Sequence, residues 1–450
     1  MGKYFGTDGI RGIAGSELNC DLAFRAGAAS ACVLGRSLER KPLFIIGRDT
    51  RISGDMITAA LIAGLTSGGA DVIDMGVLPT PAIAYFTANN AFVDSGVVIS
   101  ASHNPYEHNG IKLFGASGYK LRDEQENEIE ALIDDFGSVA LKTGADVGIK
   151  KQWQGDPAEE YARHLAGCGR QLDGLRVLID CANGAASKTA PMIFSLLGCE
   201  ADFIACTPDG ININDGCGST HLGKLSQAVK DGGYDLGIAF DGDADRCLMI
   251  DEHGDEIDGD RIIGALAAYM QDEGKLRGSA VVTVMSNLGL LEFLRDRGIT
   301  SRITAVGDRY VLEDMLASGS NIGGEQSGHV IMTDYCTTGD GEMTAVQILS
   351  MIKTKGLKAS DISRIISSFP QIMINVEVRN DLKKTIGASD EVKAIEEEIR
   401  SLFGDSGRIL IRPSGTEAKV RVMVEGKDKE LVTAMAHKAA DVIRGLAQKA

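Results

Sequence analysis

The sequence predicts an α/β protein of several domains, and three observations carry that prediction. At 450 residues the chain has room for about three or four domains of ordinary size. Its 55 glycines, 9 prolines and 44% hydrophobic residues describe a globular chain with many tight strand-to-helix turns. Strand-like apolar runs alternate with amphipathic stretches as far as Phe369. The order then changes to strand, helix, two strands and helix, an α+β arrangement.

The opening, YFGTDGIRG, is polar and glycine-rich and ends in Arg11, with Phe5 and Ile10 apolar enough to tie it down. A helix is expected over residues 21–40 and a buried strand over 43–46. The segment GRDTRIS then turns into a helix that Ser53 can cap, with Arg48 and Arg51 beside a helix N-terminus suited to an anion. A strand at 71–75, a turn at Pro79 and Pro81, and another helix lead to Val97-Val98-Ile99. This apolar run stops at Ser100-Ala101-Ser102-His103-Asn104-Pro105. It reads as a buried strand delivering a serine to a loop at its carboxyl end, where open α/β sheets bind ligands. Taken alone, such a serine is also ordinary turn chemistry. Residues 109–114 read as a strand presenting Lys112. Residues 123–135 read as a solvated acidic helix with Ile129, Leu132 and Ile133 turned inward.

A polar stretch at 150–157 marks the first boundary. Beyond it come a strand at 175–180, a helix at 187–197, a strand at 201–205, and a strand at 236–240 that runs into Asp241-Gly242-Asp243-Ala244-Asp245-Arg246. The next unit contains VGDRY at 306–310 and GEQSGH at 324–329. The predicted domains are 1–155, 156–257 and 258–369, all α/β, and 370–450, α+β. The first three each end a strand in a functional-looking loop, which hints at internal repetition that the residues themselves are too dissimilar to demonstrate.

No apolar run approaches the roughly 20 residues needed to cross a bilayer. The first residues lack an apolar signal core, so the expected location is the cytoplasm. Nine cysteines, with no Cys-x-x-Cys pair, fit reduced thiols and give no support for zinc. A formal charge of −17 argues against nucleic acid or anionic membrane as partners, so an anionic substrate needs a local basic cluster.

Asp241, Asp243 and Asp245 are carboxylates at alternate positions, a density of hard oxygens that suits Mg²⁺ or Ca²⁺. A calcium EF-hand fits poorly: Arg246 takes the sixth position, where Gly is required, and the flanks LGIAF and CLMI read as strands. A phosphatase with Asp241 as nucleophile, and a non-catalytic calcium module, stay open on these residues alone. Three adjacent like charges repel unless a cation holds them. A phosphoryl group on Ser102 would supply further oxygens to such a cation. Arg412-Pro413-Ser414-Gly415-Thr416-Glu417 with Arg421 has the hydroxyls, glycine and guanidinium groups of a phosphate cradle. Glu325, Ser327 and His329 offer donors and acceptors for sugar hydroxyls.

Assembled, these segments resemble the α-D-phosphohexomutase superfamily across essentially all 450 residues. The motifs YFGTDGIRG, GRDTRISG, ISASHNP, NGIKLF, DGDADR, VGDRYV, GEQSGH, TTGDG and RPSGTE stand in the family's order. VGDRYV and the Gln of GEQSGH favour the phosphoglucosamine branch over the phosphomannomutase/phosphoglucomutase branch, which is the alternative. The resemblance implies four domains around a central cleft, three similar mixed-sheet α/β units and a C-terminal α+β domain. It implies interconversion of glucosamine 6-phosphate and glucosamine 1-phosphate through phosphoserine 102 and a glucosamine 1,6-bisphosphate intermediate, feeding UDP-N-acetylglucosamine and cell-wall synthesis.

By the same resemblance, Ser102, Asp241, Asp243 and Asp245 bind one Mg²⁺ per subunit. Asp308, Arg309, Glu325 and Ser327 serve the sugar, and Arg412, Ser414, Gly415, Thr416 and Arg421 hold the non-reacting phosphate. Arg11, Arg48, Arg51 and Arg246 are expected to steady the phosphoserine. Lys112 and His329 are the candidates for proton transfer, with His103 as the alternative. Glucosamine or glucose 1,6-bisphosphate is the expected activator, a small phosphosugar the expected partner, and a homodimer is left open. One departure stands out: Ala244 replaces the second Gly of the usual DGDGDR, which would cost about 1 kcal/mol if the position needs φ > 0.

Overall fold

The computed structural model describes residues 2–6, 8–414 and 418–449, and the side chains of all of these except 405 and 449. Three sheets share one topology. In the first, the parallel strands Asp71–Val77, Leu43–Arg48 and Ser95–Ile99 lie side by side in that order, and His108–Gly115 adds antiparallel to the last. In the second the order is Glu200–Ile204, Arg176–Asp180, Leu236–Phe240 and antiparallel Cys247–Asp251. The third repeats it with Ser301–Thr304, Ala280–Thr283, Ile322–Gly324 and antiparallel Val330–Ile331. The repetition hinted at in the sequence is therefore one of topology. In every copy the loop between the third parallel strand and its antiparallel partner holds residues that the sequence singles out: Ser102, Asp241–Asp245 and Glu325–His329 in turn.

The first sheet is extended by Phe5–Gly6 and Gly9–Ile13 at one edge and Lys150–Lys151 at the other. Ser95–Ile99 is buried throughout and Leu43–Arg48 is buried between its partly exposed end residues, as apolar runs such as FII and VVI require. Helices Cys20–Gly35 and Gly54–Ser67 cross closely at Gly27 and Gly64, where an added Cβ would lie 2.5 Å from Leu61 O and 2.0 Å from Phe24 O. The first of these helices is shorter than expected and stops at Gly35, which sits against the Pro42 ring. The acidic helix Asp123–Asp134 is not wholly solvated. Glu130 is buried and accepts from the backbone N–H groups of Lys3, Tyr4 and Phe5 at 2.6–2.8 Å, tying down the N-terminal strand. Leu132 is only partly buried, whereas Ile129 and Ile133 are in the core.

Two compact units emerge from the packing: residues up to Met285 with Arg297–Ile365, and Ser286–Asp296 with the residues from Ile366 onward. The second is built on the antiparallel sheet Gln371–Glu377, Lys419–Gly426, Gly407–Pro413, covered by helices Asp390–Phe403 and Lys429–Lys449. Helix Leu288–Asp296 packs with this unit. Leu288 N–H donates to Glu425 at 2.9 Å, and Asn287 exchanges two hydrogen bonds with Phe369. The nine cysteines are free thiols. Among the described residues no helix is long and apolar enough to cross a membrane.

Candidate active site

The three hairpin loops of the first unit meet in sequence, the Ser102 loop on Asp241 and the Asp241–Asp245 loop on His329. Its strand ends at Ile99, and Ser102 itself has φ 52°, a left-handed conformation that costs a non-glycine residue about 1–2 kcal/mol. Backbone bonds hold it there. Its N–H donates to Ser100 Oγ at 2.9 Å, and its carbonyl accepts from Arg51 Nη2 and from Asn214 Nδ2, each at 2.9 Å. Ser102 Oγ is buried and donates to Asp241 Oδ2 at 2.6 Å.

Arg51 does not meet an anion as expected. Its guanidinium is wholly buried on Asp49 (2.8 Å) and donates to the carbonyls of Ser102, Asn104, Pro105 and His108, so it serves as a template for the serine loop. Arg48 is also committed elsewhere, to Asp55 and Asp74. Ser53 makes no side-chain cap; its hydroxyl accepts from Asn109 instead.

The metal loop lies between strands Leu236–Phe240 and Cys247–Asp251, which rules out the helical flanks of an EF-hand. Asp241, Asp243 and Asp245 are all buried, and one oxygen from each lies within 4.8 Å of the others. Burial, then Asp245 and Asp243, push Asp241 well above the usual carboxylate range. Asp243 Oδ1 and Asp245 Oδ1 are buried with no hydrogen-bond partner among the described residues. Oxygens left bare at this density fit a metal ion, which would satisfy them and offset their repulsion. Ala244 has φ 58°, so the position does take the conformation that favours glycine.

The aspartates are not held by a metal alone. Lys112 is buried with Nζ 2.8 Å from Asp243, 3.0 Å from Asp8 and 3.7 Å from Asp245. Burial disfavours its charge, but these carboxylates outweigh burial and raise its pKa, so it stands as an ammonium. Asp8 also accepts from Lys120 at 2.6 Å, and Lys120 donates to Asp308 at 2.5 Å. His329 closes the ring, with Nδ1 3.6 Å from Asp245 and Nε2 3.6 Å from Asp308. Burial opposes its charge, yet Asp245, Asp308 and Glu325 bring its pKa up to about 9, while Gly339 N–H donates to Nε2 at 3.1 Å. The two features pull apart, since an imidazolium has no lone pair left to accept. The sequence alone does not single out Asp8, Lys120, Thr80 (2.6 Å from Asp243) or Asn214. Asp8 lies inside the YFGTDGIRG motif, but nothing in the residues around Lys120 or Asn214 marks them.

Arg11 and Arg246 supply the positive field. Arg11 pairs with Asp8, and its Nε is buried with no hydrogen-bond partner among the described residues. Arg246 Nε lies 3.9 Å from Asp245 and likewise makes no hydrogen bond. Burial, then Arg246 and Arg11, bring His103 down to about 4; its Nδ1 is 3.4 Å from Ser102 Oγ.

In the third loop Glu325 accepts from Gly307 N–H at 3.1 Å, and the turn closes through Gly328 N–H to Glu325 O at 3.0 Å. Ser327 Oγ is buried with no partner among the described residues, a hydroxyl left for a ligand. Asp308 belongs to the Lys120–His329 network. Arg309 pairs with Asp123, Glu126 and Glu313.

In the C-terminal unit Arg412 and Arg421 stand directly opposite each other on adjacent antiparallel strands. Ser414 is buried, and its N–H donates to Lys419 O at 2.8 Å. Gly415 and Thr416 lie outside the described residues.

Family models of the four phosphoglucomutase/phosphomannomutase domains match in chain order: alpha/beta/alpha domain I over residues 2–138, II over 159–254, III over 258–369, and the C-terminal domain over 373–442. The chain is 48% identical over 448 residues to a phosphoglucosamine mutase of Ruminiclostridium cellulolyticum, covering 99% of each chain. It is 49% identical over 450 residues to that of Clostridium acetobutylicum, covering 98% of this chain and 99% of the other. A phosphoglucomutase/phosphomannomutase family protein from Burkholderia thailandensis superposes with a TM-score of 0.81 at 25% identity over 97% of both chains. The N-acetylphosphoglucosamine mutase of Aspergillus fumigatus, in complex with GlcNAc-6P and magnesium, shares the fold with a TM-score of 0.72 at 17% identity, over 99% of this chain and 96% of that one.

Proposed function

The chain belongs to the phosphoglucomutase/phosphomannomutase family, and from its likeness to phosphoglucosamine mutases along nearly its whole length we infer that it interconverts glucosamine 6-phosphate and glucosamine 1-phosphate. The observation that carries this reading is the contact between Ser102 Oγ and Asp241 Oδ2, 2.6 Å long, inside a ring of buried carboxylates and cations.

Ser102 in its phosphorylated form gives its phosphoryl group to the free hydroxyl of the bound sugar phosphate. The P–Oγ bond breaks, a P–O bond to the sugar forms, and the hydroxyl proton ends on Oγ. The product is glucosamine 1,6-bisphosphate, which turns within the site. Its other phosphate then returns to Oγ, and the Oγ proton passes to the sugar oxygen. Asp241, Asp243, Asp245 and an oxygen of the Ser102 phosphoryl group would hold one Mg²⁺, whose charge offsets that of the transferred group.

Arg11 and Arg246 face the same charge from the protein side. Lys112, fixed between Asp8 and Asp243, and His329, fixed between Asp245 and Asp308, are the proton-transfer groups, with His103 as the alternative. Glu325 and Ser327 serve the sugar hydroxyls. Arg412, Ser414, Gly415, Thr416 and Arg421 serve the non-reacting phosphate. Asp308 and Arg309, in the first turn of helix Asp308–Ser318, serve the sugar with Glu325 and Ser327.

The domain limits 1–155, 156–257, 258–369 and 370–450, a bisphosphate activator, a cytoplasmic location and a homodimer complete the proposal. The test is kcat/KM for glucosamine 6-phosphate, glucose 1-phosphate and mannose 1-phosphate with Mg²⁺ and a trace of the matching bisphosphate. A clear preference for the amino sugar is expected. Equal or better rates on the neutral sugars would move the chain to the phosphomannomutase/phosphoglucomutase branch.

A further inference from the structure

The carbonyl of Ser102 is a meeting point for the serine and metal loops. Two side chains donate to it at 2.9 Å: Arg51 Nη2, from the same α/β unit, and Asn214 Nδ2, from the unit that carries the metal loop. Asn214 Nδ2 also donates to Asn104 O at 3.1 Å, so one amide spans the serine turn. Asn214 is itself buried and left-handed at φ 59°, with its N–H on Ala182 O at 2.9 Å. Gly242, between Asp241 and Asp243, completes the joint. A Cβ there would lie 2.6 Å from Ser102 O and 2.9 Å from Asn214 Nδ2. The serine turn, the amide and the metal loop are thus packed in direct contact, and displacing one displaces the others.

We propose that Asn214 is a positioning residue for phosphoryl transfer, holding the left-handed turn of Ser102 so that Oγ stays in line between Asp241 and the sugar. This rests on the mutase reading above. The side chain touches neither substrate nor Oγ; it acts through the Ser102 carbonyl. In-line transfer is steeply sensitive to such placement, with misplacement by about 1 Å costing roughly 100-fold in rate.

The backbone conformation at 214 makes a clean test available, because glycine and aspartate both accept positive φ. Asn214→Gly removes the amide without straining the chain. Asn214→Asp keeps the shape but sets a carboxylate oxygen against two carbonyls. Asn214→Gly is expected to fold with a thermal midpoint within a few degrees of wild type, and Asn214→Asp, with its buried carboxylate facing two carbonyl oxygens, to fold with a lower midpoint. Both should show kcat for glucosamine 6-phosphate lowered at least 10-fold with KM changed less than 3-fold, and phosphate on Ser102 should turn over correspondingly more slowly on adding sugar.

If either folded variant keeps kcat within 2-fold of wild type, the inference is overturned. It is equally overturned if activity lost per milligram is regained when corrected for the folded fraction, since that is a merely structural role. Should Asn214→Gly not fold, Asn214→Asp decides. The mutase reading is judged separately, on whether wild type turns over the amino sugar. Phosphoserine loss to water in each variant, measured without sugar and expected to change at least 3-fold, keeps the positioning inference testable whatever the substrate proves to be.

Discussion

Lys112 Nζ donates to Asp243 Oδ2 across 2.8 Å, with both side chains essentially removed from solvent. A buried ammonium therefore does part of the work that repulsion among the aspartates would otherwise leave to a metal ion. Removing it takes the nearest cation from Asp243 and one of several from Asp8 and Asp245. Lys112→Met is expected to lower kcat on the order of 100-fold, as loss of a proton-transfer group does. It should also make the fold lean harder on the cation: the rise in thermal midpoint on adding Mg²⁺ should be larger for the variant than for wild type. Equal rises in a calorimetric titration would contradict this.

Ser327 offers a sharper separation of binding from folding. Its hydroxyl is buried and lacks a partner among the described residues, so the folded chain gains little from it. Ser327→Ala should leave stability within about 0.5 kcal/mol. It should raise KM for the sugar phosphate roughly 10-fold, the equivalent of one hydrogen bond of about 1.4 kcal/mol. Denaturant unfolding and steady-state kinetics on the same preparation decide it. An unchanged KM removes Ser327 from the sugar site.

Ala244 tests the metal loop's backbone. At φ 58° an alanine stores about 1–2 kcal/mol of strain, while glycine there sacrifices about 0.4–1 kcal/mol through the unfolded chain and a buried methyl besides. Ala244→Gly should therefore be neutral or stabilising by up to about 1 kcal/mol. Ala244→Val, with a β-branched side chain at positive φ, should lose about 2 kcal/mol or more. The order Gly ≥ Ala ≫ Val in thermal midpoint is the check.

Glu126 gives the pH dependence. Burial, opposed by Arg309 and reinforced by Asp123, brings it up to about 7 from an ordinary 4.5. A carboxyl raised on folding favours the folded state while protonated, so its contribution falls as pH rises from about 4.5 through 7. Glu126→Gln, which cannot ionise, should be more stable than wild type at pH 8, and the gap should close at pH 5. A gap that widens on acidification would invert the assignment.

How far the residues disclosed this site depended on whether its parts were local. The three candidate loops are legible because each is a short run of small polar residues ending an apolar strand, a contrast that periodicity detects. The DGDADR triad and the Ser102 loop follow from that contrast. The contact between Ser102 and Asp241 spans 139 positions and does not, since only the repeated sheet topology brings those loops together. Arg51 departs from its sequence expectation for a related reason. An arginine beside a helix N-terminus reads as an anion ligand, whereas here Asp49, two residues away, pulls it inward onto carbonyl groups. Lys120 and Asn214 carry no local signature, because each is defined by what another α/β unit sets against it.

Phosphate on the nucleophile is the most direct question to put to the molecule. Purified wild-type chain, incubated with Mg²⁺ and glucose 1,6-bisphosphate, quenched and digested, should yield the peptide around Ser102 carrying one phosphate on that residue, stable to hydroxylamine. Ser102→Ala should show none and no turnover. A hydroxylamine-labile phosphate on Asp241, or full turnover by Ser102→Ala, would contradict the account.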